Sequence, residues 1–153
     1  MNVQEIEILL VEDNSEDAEL TRHALLKNKL ANRIHLVRDG EEALEFLFCR
    51  GAYSQRSFSD PPGLVLLDLK LPKIDGMEVL RQVKSDNRTK SIPVVILTGS
   101  KEERDSAAGY KHGVNSYIQK PVSFNEFLET SKQLGLYWLL VNQSPPPSVF
   151  PRE

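Results

Sequence analysis

The chain has 153 residues, of which 40% are hydrophobic and 27% charged, and its formal net charge at pH 7 is −3. This size and composition predict one soluble globular domain, and the negative charge argues against nucleic acid as a partner. The single cysteine, Cys49, excludes an intrachain disulfide. The sequence has no recognisable signal peptide and no apolar run of the ~20 residues that a membrane span needs. We therefore expect a cytoplasmic protein without a membrane anchor.

Short apolar runs alternate along the chain with segments of helical periodicity. In chain order, we predict a strand over residues 6–11, a helix over 15–28, a strand over 34–37, a helix over 41–48, a strand over 64–67, a helix over 77–83, a strand over 94–97, a helix over 102–112, a strand over 116–118 and a last helix from 124 to about 141. Gly135 lies within the last helix and is a point where that helix could break.

The pattern of these elements predicts an α/β fold. Strands that are apolar nearly throughout and separated by helices favour a parallel sheet covered on both faces. The order is (βα)5, for which right-handed crossovers allow a doubly wound sheet of five strands in the order 2-1-3-4-5. We expect residues 1–143 to form this domain and the proline-rich residues 144–153 to be an extended or disordered tail.

The sequence contains capping patterns at four of the predicted helix starts. Four capping residues each stand three positions before a Glu, a spacing that can satisfy two backbone donors at a helix start. They are Asp39, Asp75, Ser100 and Ser123.

Polar residues stand at the carboxyl ends of the predicted strands. Glu12 and Asp13 follow the first strand, Asp68 the third, Thr98 the fourth and Lys120 the fifth. A sheet of this order binds its ligand outside the carboxyl ends of strands 1 and 3. Three carboxylates gathered there need a cation, and oxygen ligands without Cys or His suit Mg²⁺. A carboxylate beside Mg²⁺ and an ammonium can act as a nucleophile toward a phosphoryl group, whose oxygens a threonine hydroxyl could reach.

Each of these residues also has an ordinary interpretation. An acid at a strand end is often only a helix cap, as Asp13 could be, and Asn14 or Ser15 already suggests a cap nearby. Thr98 could be a turn residue and Lys120 a solvated charge. Their occurrence together at matching ends of successive strands favours a shared site.

Four stretches of the sequence carry a family resemblance: ILLVEDN, LVLLDLKLPKIDGMEVL, IPVVILTGS and GVNSYIQKPVSFNEF. In this order, over roughly residues 6–134, they resemble the receiver domain of bacterial response regulators in two-component systems, which has a flavodoxin-like fold. The resemblance implies a signalling protein that accepts a phosphoryl group from a histidine kinase. It implies no enzyme activity beyond the protein's own phosphorylation and dephosphorylation.

The resemblance also implies roles for individual residues. It makes Asp68 the phosphoacceptor, and it makes Glu12, Asp13, Asp68 and the backbone carbonyl of Lys70 the ligands of Mg²⁺, for which Mn²⁺ could substitute. Thr98 and Lys120 would contact the phosphoryl group, and Tyr117 would be the aromatic switch partner of Thr98. In this family the peptide bond between Lys120 and Pro121 is usually cis.

Two further features are similar to those of a narrower group. Residues 50–62, RGAYSQRSFSDPP, lengthen the connection before the third strand, and we expect no effector domain after the last helix. The chain thereby resembles the small single-domain response regulators that partner cyanobacterial phytochrome histidine kinases. This resemblance implies a phytochrome-type kinase as a partner.

The end of the last predicted helix is apolar on all sides. Residues 136–141 are consecutive apolar residues, and one sheet face cannot bury them all. We therefore predict a homodimer whose interface includes Tyr137, Trp138, Leu140 and Val141. The alternative is that this turn folds back over its own domain.

Two other functions compete with the receiver. A phosphohydrolase of the haloacid dehalogenase type also uses an Asp after an apolar strand, but it normally has a second acid two residues later, where this chain has Lys70. A degenerate receiver that only binds other proteins would not need the full set of acids, threonine and lysine.

Overall fold

The computed structural model describes residues 7–26, 33–99 and 116–135. The strands are β1 (Glu7–Val11), β2 (Arg33–Val37), β3 (Leu64–Asp68), β4 (Val94–Thr98) and β5 (Ser116–Gln119). The helices are α1 (Ser15–Leu26), α2 (Gly40–Leu47), α3 (Gly76–Ser85) and α4 (Phe124–Gln133), and a 3₁₀ helix covers Gly51–Tyr53. In the described part of the chain, no helix combines the length and the apolar character needed to cross a membrane.

The five strands form one parallel sheet with the order β2-β1-β3-β4-β5. This arrangement confirms the predicted doubly wound α/β fold. Every residue of β3 and of β4 is buried, as expected for inner strands covered on both faces. The registers pair Val11 with Leu67 and Asp68 with Leu97, so the carboxyl ends of the three inner strands meet at one edge of the sheet.

The two faces of the sheet have separate apolar cores. On one face, Leu9 belongs to a buried cluster with Phe46 of α2 and Leu80 of α3. On the other face, Leu10 belongs to a cluster with Phe127 of α4. Successive residues of a strand point to opposite faces, so a single apolar strand supplies both cores. Each such fully buried side chain contributes roughly 1.5–3 kcal/mol to folding.

Side-chain caps begin the helices where the sequence predicts them. The side chains of Asp39, Asp75 and Ser123 accept hydrogen bonds from the backbone N–H of Glu42, Glu78 and Glu126 at 2.7, 3.0 and 3.1 Å. The fourth predicted cap, Ser100, lies outside the described residues. The first helix is capped by Asn14, whose Oδ1 accepts from the backbone N–H of Asp17 at 2.9 Å.

The last helix ends before the predicted bound of about residue 141, at the break predicted near Gly135. The helix ends at Gln133, and Gly135 has φ of 72°, a left-handed conformation that commonly terminates a helix. The N–H of Leu134 bonds to the carbonyl of Thr130 and that of Gly135 to the carbonyl of Lys132, both at 3.1 Å. The expected break at Gly135 is therefore the one observed.

Some predictions fall on parts of the chain that the structure does not describe. These are the helix over 102–112, the tail from residue 144, and the dimer residues Tyr137, Trp138, Leu140 and Val141.

Candidate functional site

A cavity of about 260 Å³ lies at the carboxyl edge of the sheet. Its lining combines residues that follow β1, β3, β4 and β5: Glu12, Asp13, Asn14, Asp17, Asp68, Lys70, Gly99 and Lys120. The backbone N–H of Glu12 continues the sheet by donating to the carbonyl of Val37 at 3.0 Å, which fixes where the acidic pair leaves the strand. The fold thus places the predicted acids and lysine around one space.

Three carboxylates converge in this cavity. Glu12, Asp13 and Asp68 each offer one oxygen, and these three oxygens all lie within 4.8 Å of one another. Glu12 is fully buried, Asp68 is 3% exposed and Asp13 is exposed, so the group reaches from the interior to the surface. An all-oxygen set of this spacing fits a hard divalent cation.

The turn after β3 keeps Asp68 in position. The backbone N–H of Lys70 donates to Asp68 Oδ1 at 3.4 Å, a long hydrogen bond. The N–H of Gly76 returns to the carbonyl of Leu69 at 2.9 Å, which closes the turn against the start of α3. A Cβ at Gly76 would collide with the carbonyl oxygen of Asp68, so this close approach requires glycine.

Lys120 is the lysine that contacts the acids of the cavity. Its Nζ lies 3.0 Å from Asp17 Oδ2, 3.1 Å from Glu12 Oε1 and 3.3 Å from Asp68 Oδ2. Its backbone N–H donates to the carbonyl of Thr98 at 2.7 Å, which anchors the residue to the end of β4. The peptide bond between Lys120 and Pro121 is cis, as the family resemblance implies.

The pKa values of Glu12 and Lys120 are both raised in the cavity, although burial acts on them in opposite directions. Burial, the hydrogen bond with Asp68 and the charge of Asp68 raise the pKa of Glu12 to about 7, against the attraction of Lys120. Burial lowers the pKa of Lys120, but its hydrogen bond to Asp17 and the charges of Asp68 and Glu12 outweigh burial and raise it overall. The lysine therefore stays an ammonium, while one buried carboxylate carries an unfavourable charge.

Thr98 and Tyr117 lie on neighbouring strands. Thr98 ends β4 and is fully buried, and its Oγ1 has no hydrogen-bond partner in the described structure. Tyr117 pairs in register with Ile96 of β4 and is half-buried against the core on the α2 and α3 face. A buried hydroxyl without a partner is costly, which marks Thr98 as more than a packing residue.

Sequence analysis missed Asp17 as a member of the site. It lies in the first turn of α1 and contacts Lys120, 103 residues away along the chain. The position of Asp17 in the sequence could have predicted its place near the site. The helix after β1 begins at the sheet edge where the acids are expected, so the polar residues of its first turn lie beside the site.

Comparisons with known proteins identify the family. The sequence matches the response regulator receiver domain over residues 8–132. The chain belongs to this family. Receiver domains bind a divalent metal ion and partner with sensor histidine kinases, and they are signalling proteins rather than classical enzymes. The three converging carboxylates of this receiver fit such an ion.

The alignments with individual relatives cover most of this chain. The probable methanogenesis regulatory protein FilR2 of Methanothrix harundinacea is 44% identical over 141 residues, covering 92% of this chain and 88% of FilR2. The structure of the bacteriophytochrome response regulator AtBRR matches with a TM-score of 0.83 at 50% identity, covering 88% of this chain and 96% of that one.

A third relative has been seen with a metal. Response regulator Rcp1 of Synechocystis sp. is 39% identical over 132 residues, covering 86% of this chain and 88% of Rcp1. The crystal structure of its Mn²⁺-bound form matches with a TM-score of 0.71 at 36% identity, covering 92% of this chain and 99% of that one. Close homologues of this receiver thus include phytochrome response regulators, as the sequence indicates.

Proposed function

We propose that this receiver accepts a phosphoryl group on Asp68 from a sensor histidine kinase and relays the signal through a conformational switch. The observation that carries the proposal is the cavity at the carboxyl ends of the strands, where three converging carboxylates meet the ammonium of Lys120. The Thr98 hydroxyl, which has no partner in the described structure, ends β4 next to Gly99 of the cavity lining. Asp68 is the acid that also contacts the lysine and the turn after β3.

The proposed reaction is a transfer between two side chains. A carboxylate oxygen of Asp68 attacks the phosphorus of a phosphohistidine on the kinase, the P–N bond breaks, and the imidazole leaves with the electron pair of that bond. The product is an aspartyl phosphate. The Lys120 ammonium, already 3.3 Å from Asp68, would bind an oxygen of the transferred group and oppose its charge.

We propose Mg²⁺ as the natural cation, with Mn²⁺ as a substitute. Glu12, Asp13 and Asp68 would hold it, together with the backbone carbonyl of Lys70, whose residue also lines the cavity. The acid set fits because it supplies only oxygen atoms and because Lys120 alone leaves the cluster with excess negative charge. When bound, the cation would neutralise charge on the carboxylates and on the phosphoryl oxygens.

The proposed switch runs through Thr98 and Tyr117. A phosphoryl group on Asp68 would give the Thr98 hydroxyl an acceptor, which it does not have among the described residues. Movement of Thr98 toward that acceptor would open space beside β4, and the Tyr117 ring on β5 would repack into it. The signal would then leave the site as a change in the surface around β5.

The proposal also includes the kinase partner, the division into domain and tail, and the oligomeric state. A phytochrome-type photoreceptor is the kinase that we propose, because AtBRR is a bacteriophytochrome response regulator and covers 88% of this chain. The matches to FilR2 and AtBRR along most of their own lengths support a regulator of one receiver domain, over residues 1–143 with a tail at 144–153. The predicted homodimer through residues 137–141 remains part of this proposal.

Intact mass spectrometry tests the central claim. Wild-type protein incubated with Mg²⁺ and acetyl phosphate should gain one phosphoryl group that hydroxylamine removes, whereas Asp68→Asn should gain none while melting at the same temperature. The matched control is Asp60→Asn, an exposed acid near the amino end of the same strand, which should be phosphorylated like wild type.

The outcomes separate the alternative functions. One stable adduct on Asp68 supports the receiver. Repeated turnover of a small phosphate ester would indicate a phosphohydrolase, and no adduct from either acetyl phosphate or a phosphorylated kinase would indicate a degenerate receiver. An adduct on the Asp68→Asn protein would show that another residue is the acceptor.

A further inference from the structure

Asp17 reaches the cavity from a different element than the three converging acids. Its Oδ2 accepts a hydrogen bond from Lys120 Nζ at 3.0 Å, and its backbone N–H is held by the side chain of Asn14 at 2.9 Å. Because the Asn14 cap fixes the backbone of the first turn of α1, it also fixes where the Asp17 side chain leaves the helix. The distance from Asp17 to Lys120 is as short as those from the two inner acids.

The three carboxylates around Lys120 differ in depth. The side chain of Glu12 is fully buried and that of Asp68 is 5% exposed, whereas that of Asp17 is 35% exposed. Lys120, with 14% of its side chain exposed, contacts two inner acids and one outer acid.

Only the inner acids are shared with the metal cluster. Among the described residues, the group of acids whose oxygens converge comprises Glu12, Asp13 and Asp68, and Asp17 is not a member. A divalent cation bound there competes for the oxygens that Lys120 contacts, and its charge repels the ammonium. Without an outer partner, the Lys120 ammonium would move away from Asp68 when the cation is bound, which is the state in which phosphoryl transfer is proposed to occur.

We propose that Asp17 is a positioning residue for Lys120, an outer carboxylate that keeps the ammonium beside Asp68 while the inner acids hold the cation. The inference rests on the proposed phosphoryl transfer for its purpose, but not for its geometry.

A simpler role for Asp17 can be tested directly. An acid in the first turn of a helix is favourable because it faces the positive end of the helix dipole. Glu16 stands in the same turn and shares that advantage, but it does not line the cavity. Glu16→Gln is therefore the matched control for Asp17→Asn, and Asp17→Glu tests whether the carboxylate itself is sufficient.

Amine labelling measures the position of Lys120 without any phosphoryl donor. Each variant is treated with a small amine-reactive reagent, with and without Mg²⁺, and labelling of Lys120 is read by peptide mass spectrometry against the exposed Lys132. Loss of one partly exposed ion pair should speed labelling of Lys120 about two- to fivefold in Asp17→Asn. The acceleration should be larger with Mg²⁺, and Asp17→Glu should label more slowly than Asp17→Asn.

Phosphorylation by acetyl phosphate supplies the functional measurement. In Asp17→Asn, the limiting rate should fall about two- to fivefold while the half-saturating concentrations of donor and Mg²⁺ stay within about twofold, and Asp17→Glu should recover part of the rate. Unchanged labelling of Lys120, an equal acceleration in Glu16→Gln, or a wild-type limiting rate in Asp17→Asn would overturn the proposal. If wild type is not phosphorylated, the proposed function fails, yet labelling still decides whether Asp17 holds Lys120.

Discussion

Two acid-lined cavities of similar size lie in different parts of the molecule. The candidate site encloses about 260 Å³, and a second cavity of about 240 Å³ lies beside α2 and the 3₁₀ helix. The second is lined by Asp39, Glu41, Glu42, Glu45, Ala52, Tyr53 and Lys73, so it contains as many acids as the first. A count of carboxylates does not distinguish the two.

The polar groups of the second cavity stabilise one another. Asp39 caps α2 and lies 3.5 Å from Lys73 Nζ. Glu42 accepts a hydrogen bond from the Tyr53 hydroxyl at 2.6 Å, and the same hydroxyl lies 3.0 Å from His35 Nε2. His35 and Tyr53 also meet edge to face, with ring centroids 5.4 Å apart. These contacts tie the residue 50–62 connection to the sheet and to α2.

The candidate site has the opposite character. Three of its carboxylates converge, whereas in the second cavity Asp39 caps a helix and Glu42 binds a tyrosine. The pKa of Glu12 is raised to about 7, and the Thr98 hydroxyl at the end of β4 has no partner in the described structure. Charge that is brought together without full compensation costs stability, and a bound ion or phosphoryl group would offset that cost. Convergence of carboxylates and polar groups without partners in the described structure, rather than the number of acids, distinguish the candidate site from the second cavity.

Metal removal should have the largest effect and should act on one cavity alone. In excess chelator, we expect no phosphoryl adduct from acetyl phosphate. Mg²⁺ at about 100 times its Kd should stabilise the folded wild-type protein by about 2.7 kcal/mol, because it binds the folded state alone. Asp13→Asn should lose most of this stabilisation, as measured by urea unfolding with and without Mg²⁺.

The control for metal binding comes from the second cavity. Glu41→Gln removes one of its acids, which is exposed, and should leave the Mg²⁺ effect unchanged. If Glu41→Gln weakens the response to Mg²⁺ as much as Asp13→Asn does, the distinction between the cavities is wrong.

The sequence predicts the candidate site better than it predicts the second cavity. Glu12 and Asp68 stand at the carboxyl ends of neighbouring apolar strands, and the strand order alone brings those ends together, so their convergence could be predicted without any side-chain contact. The contacts of Tyr53 with Glu42 and His35 depend on how the residue 50–62 connection folds back, and no periodicity encodes that path. Asp17 could not be predicted in the same way, because the apolar periodicity that predicts α1 does not tell which strand end the polar residues of its first turn face.

Removal of the Tyr53 hydroxyl should reduce stability without affecting phosphorylation. Tyr53→Phe keeps the ring contacts with Phe46 and His35 but deprives Glu42 of its hydrogen-bond donor. We expect the free energy of unfolding to fall by about 1–2 kcal/mol in urea titrations, with a wild-type rate of phosphorylation. A slower rate of phosphorylation at unchanged stability would show that the second cavity belongs to the functional machinery.

The effect of Tyr53→Phe should depend on pH in a defined direction. Burial, the hydrogen bond with Glu42 and the charges of Glu42 and Glu45 raise the pKa of Tyr53 to about 12, against the opposing charge of Arg56. Because the folded-state pKa exceeds the unfolded value of about 10, the contribution of the hydroxyl is fully present below pH 10 and is lost as the pH rises toward 12. The stability difference between Tyr53→Phe and wild type should shrink across that interval.

Thr98→Val should give the smallest change in stability. Unlike Tyr53→Phe, it should raise the free energy of unfolding rather than lower it. Valine replaces a buried hydroxyl that has no partner in the described structure with a methyl group of similar size, so we expect the free energy of unfolding to rise by about 1 kcal/mol. The variant should still accept a phosphoryl group on Asp68, but without the hydroxyl the Tyr117 ring should keep its unphosphorylated environment. NMR of ring-labelled tyrosine before and after phosphorylation measures this. A less stable Thr98→Val protein would mean that the hydroxyl is satisfied in solution, and a Tyr117 shift equal to that of wild type would remove Thr98 from the switch.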